Sequence, residues 1–352
     1  MALPTSSLPA RRTTPGLLAV TLFVVLAAGL LWWSKWSPYA GRVLELSATR
    51  TWSTGSVLEA AGVTPGSGPS LRAGWGFTVA YASAVWKALL AGLVIAAAVQ
   101  TLLPRRWLLG LLSRRGDVAG AAVGGAVSTP SMMCSCCTAP VASSLRRSGA
   151  PTASVVAYWL GNPLLNPAVL LFLAFVAPWQ WVVVRLVVGV AVVVGGSVAV
   201  ARLSGTGAST ASALPVPVDE GPRRFLPVLA RNSAVLVPEY LLVVFTVGAF
   251  SGWLFPLGET ARSWGLLATL LAVVLGLLLV IPTAGEVPLT QGLAAAGFGP
   301  AVVGALLIVL PAVSLPSAVM VTGALRPRVV GWTLLVVAVG GLLAAALLSA
   351  LT

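Results

Sequence analysis

Long apolar runs separated by short polar breaks dominate the chain, and seven of these runs are long enough to cross a bilayer. A helix of about 20 apolar residues spans the ~30 Å hydrocarbon core. The pattern therefore predicts transmembrane helices at residues 16–33, 77–103, 150–176, 181–201, 233–255, 301–324 and 329–351.

Two further apolar stretches, at residues 118–147 and 264–297, are interrupted by prolines. Irregular backbone at membrane depth is tolerated only where it is buried in protein or lines a cavity. We therefore expect each stretch to form a re-entrant hairpin that enters and leaves on one face. The expected fold is an all-α polytopic membrane protein with about seven full crossings, two broken hairpins and eight to ten apolar segments in all.

The two halves of the chain repeat each other at a shift of 148 residues, which indicates an internal duplication. The matched positions include Cys134 with Pro282, Pro140 with Pro288, Gly149 with Gly297 and Pro163 with Pro311. The predicted units are 1–76 (an N-terminal helix and an extracytoplasmic loop that starts at Lys35), 77–203 (first repeat), 204–224 (cytoplasmic linker) and 225–352 (second repeat).

Composition places the chain in a membrane, because 58% of its residues are hydrophobic, 8% are charged and the mean hydropathy is +0.99. We interpret the excess of 21 Lys and Arg over 8 Asp and Glu as loop charge, and expect no nucleic-acid partner. With re-entrant hairpins, the dense arginine clusters share one side of the membrane. This predicts a multi-pass cell-membrane protein with a cytoplasmic N-terminus and with its two repeats inverted.

All three cysteines lie in the proline-flanked stretch 129–140, TPSMMCSCCTAP. Thiolates bind soft ions such as trivalent arsenic, copper(I) or zinc. A lone buried cysteine is usually a small apolar filler, but three within four positions beside a proline break favour a site. The expected ligand-binding groups are Cys134, Cys136 and Cys137, with the hydroxyls of Ser135 and Thr138 beside them.

Cys134 and Cys137 also have the C-x-x-C spacing of thiol oxidoreductases. A membrane disulfide exchanger normally needs a second cysteine pair, and this chain has one further thiol. A thiol-disulfide oxidoreductase, or a factor that delivers a soft metal such as copper, is therefore the alternative interpretation.

Asn162 and Asn166 begin two Asn-Pro pairs four residues apart, and would lie on one face if the helix persisted. Proline removes backbone donors and kinks a helix, which leaves carbonyls open near these amides. The pair either lines a polar pathway or marks a packing kink with satisfied amides.

Glu286 lies in the proline-bounded break of the second repeat, at the position that matches Thr138. An ionisable group within a membrane segment is a candidate functional group by default, so Glu286 is the predicted proton-coupling carboxylate. Glu239 lies nearer the start of its span and is a weaker candidate. Lys87 either faces protein and has a function, or extends toward the membrane surface.

The chain has no histidine and no G-x-x-x-x-G-K-[ST] motif. We therefore expect no enzyme activity and no cofactor. Any energy source within this chain would be an ion gradient.

The cysteine and Asn-Pro motifs resemble the predicted permease family that includes ArsP, an exporter of trivalent organoarsenicals. The resemblance rests on Cys134-Ser135-Cys136, Pro140, Ser144-Leu145, Gly149-Ala150-Pro151 and Asn162-Pro163 with Asn166-Pro167. It implies a permease whose paired cysteines, here Cys134 and Cys136, meet a thiophilic substrate. The chain departs from that pattern at Cys137-Thr138-Ala139, where a third thiol stands. The sequence thus predicts a transporter, exporting a small thiophilic solute through a cysteine-lined site at the midplane.

Overall fold

The computed structural model of the chain describes residues 14–52, 68–103, 105–113, 116–205, 222–254, 264–295 and 297–352. Within these ranges all regular structure is helical, and seven helices are long and apolar enough to cross a membrane. They coincide with the seven predicted runs, which confirms the all-α polytopic fold. The seven are Leu18–Thr49, Leu71–Thr101, Thr152–Val176, Trp179–Leu203, Phe225–Phe250, Pro300–Thr322 and Pro327–Leu351.

The first crossing is longer than predicted. Helix α1 (Thr14–Leu31) continues through a π-helical turn (Trp32–Trp36) into α2 (Ser37–Thr49), so the stretch expected to be a loop from Lys35 onward begins as helix. Pro38 directly follows the π-helical turn, where the regular i to i−4 hydrogen bonding is already interrupted, and the helix continues through it. Residues 53–67 of the expected loop lie outside the described residues.

The second crossing, α3, starts at Leu71, ahead of the apolar run predicted from residue 77. After a short helix come a broken hairpin, a broken crossing and a crossing that contains a second π-helical turn (Ala191–Gly196). The helices are α3 (Leu71–Thr101), α4 (Arg105–Leu112), α5 (Asp117–Ser128), α6 (Ser135–Arg147), α7 (Thr152–Leu164), α8 (Pro167–Val176), α9 (Trp179–Val190) and α10 (Ser197–Leu203).

The second repeat has the same order of a long crossing, a broken hairpin, a broken crossing and a last crossing. Its helices are α11 (Phe225–Leu254), α12 (Leu266–Leu278), α13 (Glu286–Ala295), α14 (Pro300–Ala312), α15 (Leu315–Thr322) and α16 (Pro327–Leu351). The breaks recur at the predicted shift, because α7 ends at Leu164 and α14 ends at Ala312, 148 positions later.

The first hairpin, α5 with α6 (hairpin A), is re-entrant. Its start and its end lie at one level of α7, since Ser154 Oγ near the start of α7 donates to the carbonyl oxygen of Leu112 at 2.7 Å, ahead of α5. Its tip lies further along α7, where Asn162 Oδ1 accepts from the Met133 N–H at 2.8 Å. A Cβ added at Gly124 would lie 2.3 Å from the Ser154 carbonyl oxygen, so glycine allows α5 to pack backbone to backbone against α7.

The second hairpin, α12 with α13 (hairpin B), also returns to its starting level. Residues at the start of α12, such as Ala268, share a groove of about 650 Å³ with Val302 at the start of α14 and Ala345 near the end of α16. In contrast, the base of hairpin A lies near the start of α16, because a Cβ added at Gly323, just ahead of α16, would lie 3.7 Å from Arg147 Nη2 at the end of α6. The hairpins therefore enter from opposite faces, as an inverted repeat requires.

Candidate functional site

The tip of hairpin A gathers the three thiols into one buried cluster. Cys134 Sγ lies 3.0 Å from Cys136 Sγ and 3.1 Å from Cys137 Sγ. All three cysteines are free and buried. Their sulfur atoms lie within 4.8 Å of one another, close enough to hold one soft ion together.

Backbone geometry at the tip brings these sulfurs together. Met132 has a left-handed conformation with φ +49°, and Cys134 is extended at the N-cap of α6. This sharp entry places the next two cysteines in the first turn of the helix. Thr138 Oγ1 donates to the Cys134 carbonyl oxygen at 2.7 Å, which fixes the turn.

Two tyrosines and one glycine surround the thiol cluster. The Tyr81 hydroxyl on α3 lies 3.8 Å from Cys136 Sγ, and the ring of Tyr240 on α11 packs against that of Tyr81. The buried Tyr240 hydroxyl has no hydrogen-bond partner among the described residues. A Cβ added at Gly92 of α3 would lie 2.5 Å from the Cys137 carbonyl oxygen. Glycine at that position therefore permits the close approach of α3 to the thiol-bearing turn.

The two asparagines have separate tasks, because the helix ends between them. Asn162 holds the tip of hairpin A, since its Oδ1 accepts from the Met133 N–H and its amide donates to Ser131 Oγ. Asn166 is the N-cap of α8 and accepts from the N–H groups of Ala168 and Val169 at 3.1 and 3.4 Å. The buried Asn166 Nδ2 has no partner among the described residues.

The second repeat carries the corresponding cap. Ser314, which stands 148 positions after Asn166, is the N-cap of α15 and forms a capping box with Ser317. Its hydroxyl also lies 3.3 Å from Ser135 Oγ at the tip of hairpin A. The broken crossing of the second repeat therefore touches the thiol-bearing tip directly.

Glu286 is buried and ion-paired. It begins α13 at the tip of hairpin B, and its Oε1 accepts from Arg185 Nη2 at 2.9 Å. Arg185 lies in α9 and is fully buried. The predicted proton carrier is therefore tied to the opposite repeat by an ion pair with an arginine.

Arg185 also closes the helix break at the Asn-Pro motif. Pro167 has no N–H, so the Pro163 carbonyl oxygen has no helical partner, and Arg185 Nη2 donates to it at 2.9 Å. Arg185 Nε donates to the Leu164 carbonyl oxygen at 3.3 Å. Sequence reasoning missed Arg185 within the apolar run 181–201, although a charge in the middle of a crossing was itself a signal.

Lys35 joins the first crossing to both hairpin tips. Its Nζ donates to Thr283 Oγ1 at 3.0 Å in the break of hairpin B and to the Tyr39 hydroxyl at 3.1 Å. The neighbouring Trp36 Nε1 donates to the Pro130 carbonyl oxygen at 2.7 Å, which places Lys35 beside the tip of hairpin A. Sequence reasoning missed Lys35, because the surrounding polar and aromatic residues looked like a membrane interface.

The other two ionisable candidates are Lys87 and Glu239. Lys87 is exposed and lies near the rings of Trp33 and Trp86, with 5.7 and 5.8 Å to the ring centroids. This arrangement favours a peripheral cation–π contact over a role inside the protein. Glu239 is partly buried on α11, next to Tyr240 in the sequence.

A small polar cavity of about 120 Å³ opens between α6 and α11, toward the base of hairpin A. The buried Ser143 hydroxyl in its wall has no hydrogen-bond partner among the described residues. The cavity lies on the α6 face that begins at the thiols. Its walls are Pro140, Ser143, Ser144, Arg147, Arg231, Asn232, Val235 and Leu236.

Comparison with known proteins gives one family and one relative. Residues 73–214 match the ArsP_1 family, described as "Predicted permease". The chain is 37% identical over 326 residues to the UPF0718 protein YraQ of Escherichia coli strain K12. The aligned region covers 91% of this chain and 92% of that protein. No solved structure matches the chain.

Proposed function

The chain belongs to this family of predicted permeases, and we propose that it is a secondary transporter that exports a small thiophilic solute, such as a trivalent organoarsenical, across the cell membrane. The observation that carries the proposal is the buried cluster of three thiols at a hairpin tip between two inverted repeats. Sites of this kind near the midplane are typical of secondary transporters.

The thiol cluster suits a cargo that exchanges oxygen ligands for sulfur. A monosubstituted arsenical with two hydroxyl groups would react with two thiols; two As–O bonds break, two As–S bonds form, and the thiol protons leave as part of two water molecules. Cys134 is the common partner in either pairing, because it is close to both Cys136 and Cys137. Ser135, Thr138, Asn162 and Asn166 would shape the walls of the site.

The contacts between the repeats suggest how access could alternate. Hairpin A meets the second repeat through the Ser135 and Ser314 hydroxyls, and hairpin B meets the first repeat through Arg185 and Glu286. Rocking of one repeat against the other would break and re-form these few polar contacts. The cavity at the base of hairpin A would be the cytoplasmic end of the route to the thiols.

Glu286 is the proposed coupling group. Proton uptake would cancel its charge and remove its attraction for Arg185, which would release the tip of hairpin B. The buried arginine would then keep only its bonds to the carbonyl oxygens of Pro163 and Leu164. A proton gradient would in this way favour one position of hairpin B over the other.

Transport into everted membrane vesicles tests the proposal. Methylarsenite, copper(I) and small thiols are offered to vesicles that carry the wild type, Cys134→Ser or Ser197→Ala. Ser197 is a buried serine of α10 without a hydrogen-bond partner among the described residues, which makes it a matched control. We expect accumulation of a thiophilic solute that Cys134→Ser abolishes and Ser197→Ala retains. Absence of cysteine-dependent accumulation for every solute would reject the proposal.

A thiol-disulfide oxidoreductase is the second candidate. It is favoured by the 3.1 Å separation of Cys134 Sγ and Cys137 Sγ in the first turn of a helix, the arrangement of a C-x-x-C redox pair. A redox titration distinguishes the two functions. A stable Cys134–Cys137 disulfide that exchanges with a protein thiol would favour the redox function, and thiols that stay reduced while transport proceeds would favour the permease.

A further inference from the structure

The first crossing supplies a positive charge to the thiol site from outside the duplicated part of the chain. Lys35 lies in the π-helical turn of that crossing, and only 7% of its surface is exposed. A second bond from the same turn, from Trp36 Nε1 to the Pro130 carbonyl oxygen at 2.7 Å, holds it beside hairpin A. The position of the ammonium group is thus fixed by contacts to both hairpins.

This ammonium has no carboxylate partner in the described part of the structure. The buried charged side chains there are Lys35, Arg185 and Glu286, and Glu286 is ion-paired with Arg185. The hydrogen-bond acceptors of Lys35 are the neutral hydroxyls of Tyr39 and Thr283. A buried charge without an opposite charge is costly, so a partner that brings negative charge would stabilise this arrangement.

We propose that Lys35 is a specificity-determining residue of the transport site, where it neutralises a bound cargo complex that carries one negative charge. The inference rests on the proposed function and adds a preference among thiophilic cargoes. Copper(I) held by two thiols has this charge, because two S–H bonds break, two Cu–S bonds form and two protons leave to solvent. The adduct of methylarsenite with two thiols is neutral, because its hydroxyl groups leave as water.

The test measures the binding of these two probes to purified full-length protein. Copper(I) is titrated in competition with a chelator, and methylarsenite is followed by quenching of tryptophan fluorescence. The variants are Lys35→Met, Lys35→Gln and Lys35→Arg, with Lys87→Met as the matched control for loss of an exposed lysine. Lys35→Gln keeps a hydrogen-bond donor for Thr283 and removes the charge, so it separates charge from packing if Lys35→Met folds poorly.

We expect Lys35→Met and Lys35→Gln to weaken copper(I) binding by ~30-fold or more, because a buried charge loses its partner, and to change methylarsenite binding by less than about 3-fold. Lys35→Arg should recover most of the copper(I) affinity, and Lys87→Met should change neither probe. Equal loss of affinity for both probes, or unchanged copper(I) binding, would overturn the role of Lys35. Binding that still depended on Cys134 would in that case continue to support the permease. Binding of neither probe to the wild type would overturn both proposals.

Discussion

The two hairpin tips have the same backbone design and opposite chemistry. In each hairpin a short helix ends near a proline at the tip, and a second helix returns the chain to the face of entry. The tip of hairpin A presents three thiols on a turn held by the amide of Asn162, whereas the tip of hairpin B presents one carboxylate held by the charge of Arg185. The duplication thus supplies two equivalent places, one suited to soft cargo and one to charge.

The difference extends to the helices that support the tips. Arg185 supports hairpin B from the first repeat, and the matching residue of the second repeat, 148 positions later, is Thr333, whose hydroxyl donates to the Val329 carbonyl oxygen of its own helix. Hairpin A therefore lacks the matching arginine, and the nearby cation comes from Lys35 of the first crossing. An inverted repeat can hold an asymmetric site in this way without a change in its helix boundaries.

Breaking the ion pair at hairpin B should have the largest effect. Glu286→Gln leaves a buried arginine without its counter-charge, and we expect a loss of about 3–5 kcal/mol in stability together with loss of proton-gradient dependence. Cargo binding should remain, because the thiols belong to the other tip. Thermal unfolding and vesicle transport with and without a pH gradient measure these effects.

The double variant Arg185→Met with Glu286→Met is the control for the ion pair. It should regain only part of the stability, because no buried charge is left alone but the Pro163 and Leu164 carbonyl oxygens lose their donor, and it should not regain the gradient dependence. Unchanged gradient dependence in Glu286→Gln would remove this carboxylate from the coupling step.

Crowding the tip of hairpin A should have the next largest effect. In Gly92→Val the new side chain would meet the Cys137 carbonyl oxygen, and we expect a cost of about 1–3 kcal/mol and weaker cargo binding. Gly331→Ala is the matched control, because nothing lies within 4 Å of a Cβ added there. The comparison is measured by unfolding and by binding of methylarsenite. Normal cargo binding by a destabilised Gly92→Val would show that the α3 contact does not position the thiols.

Removing the amide that holds hairpin A should have a comparable effect on stability. Asn162→Ala leaves the Met133 N–H without its acceptor, which costs about 1–3 kcal/mol for a buried donor, and should loosen the thiol-bearing turn. Faster alkylation of the thiols by a membrane-permeant maleimide would report this loosening. An unchanged labelling rate would mean that the tip is held by other contacts.

Losing the cap of α8 should have the smallest effect. Asn166→Ala removes the acceptor of two N–H groups, and N-cap losses cost about 1 kcal/mol. Because this asparagine caps a helix and does not contact the tip, thiol labelling should stay at the wild-type rate. If Asn166→Ala instead alters cargo selectivity, its free Nδ2 faces the transport route.

The features that leave a long or repeated pattern in the sequence could be predicted from it. The lengths of the apolar runs predicted the seven crossings, and the matched prolines predicted the two broken segments. The spacing of Cys134, Cys136 and Cys137 predicted a cluster, because three thiols within four positions come together where the chain turns into a helix.

Contacts made by single charges could not be predicted in the same way. Lys35 is separated from Thr283 by 248 positions and Arg185 from Glu286 by 101, and no periodic pattern connects such pairs. The extension of the first crossing was also missed, because a polar, aromatic turn resembles a membrane interface. The asparagines were predicted to share one helix face only if the helix persisted, and the break at Leu165 gives them different partners.

The central claim is that the thiols of hairpin A, and not the groups of hairpin B, hold the cargo. X-ray absorption at the arsenic edge of purified protein loaded with methylarsenite tests it most directly. We expect two sulfur neighbours around arsenic in the wild type and in Glu286→Gln, and fewer in Cys134→Ser. Arsenic surrounded by oxygen in the wild type, or by the same sulfur shell in Cys134→Ser, would contradict it.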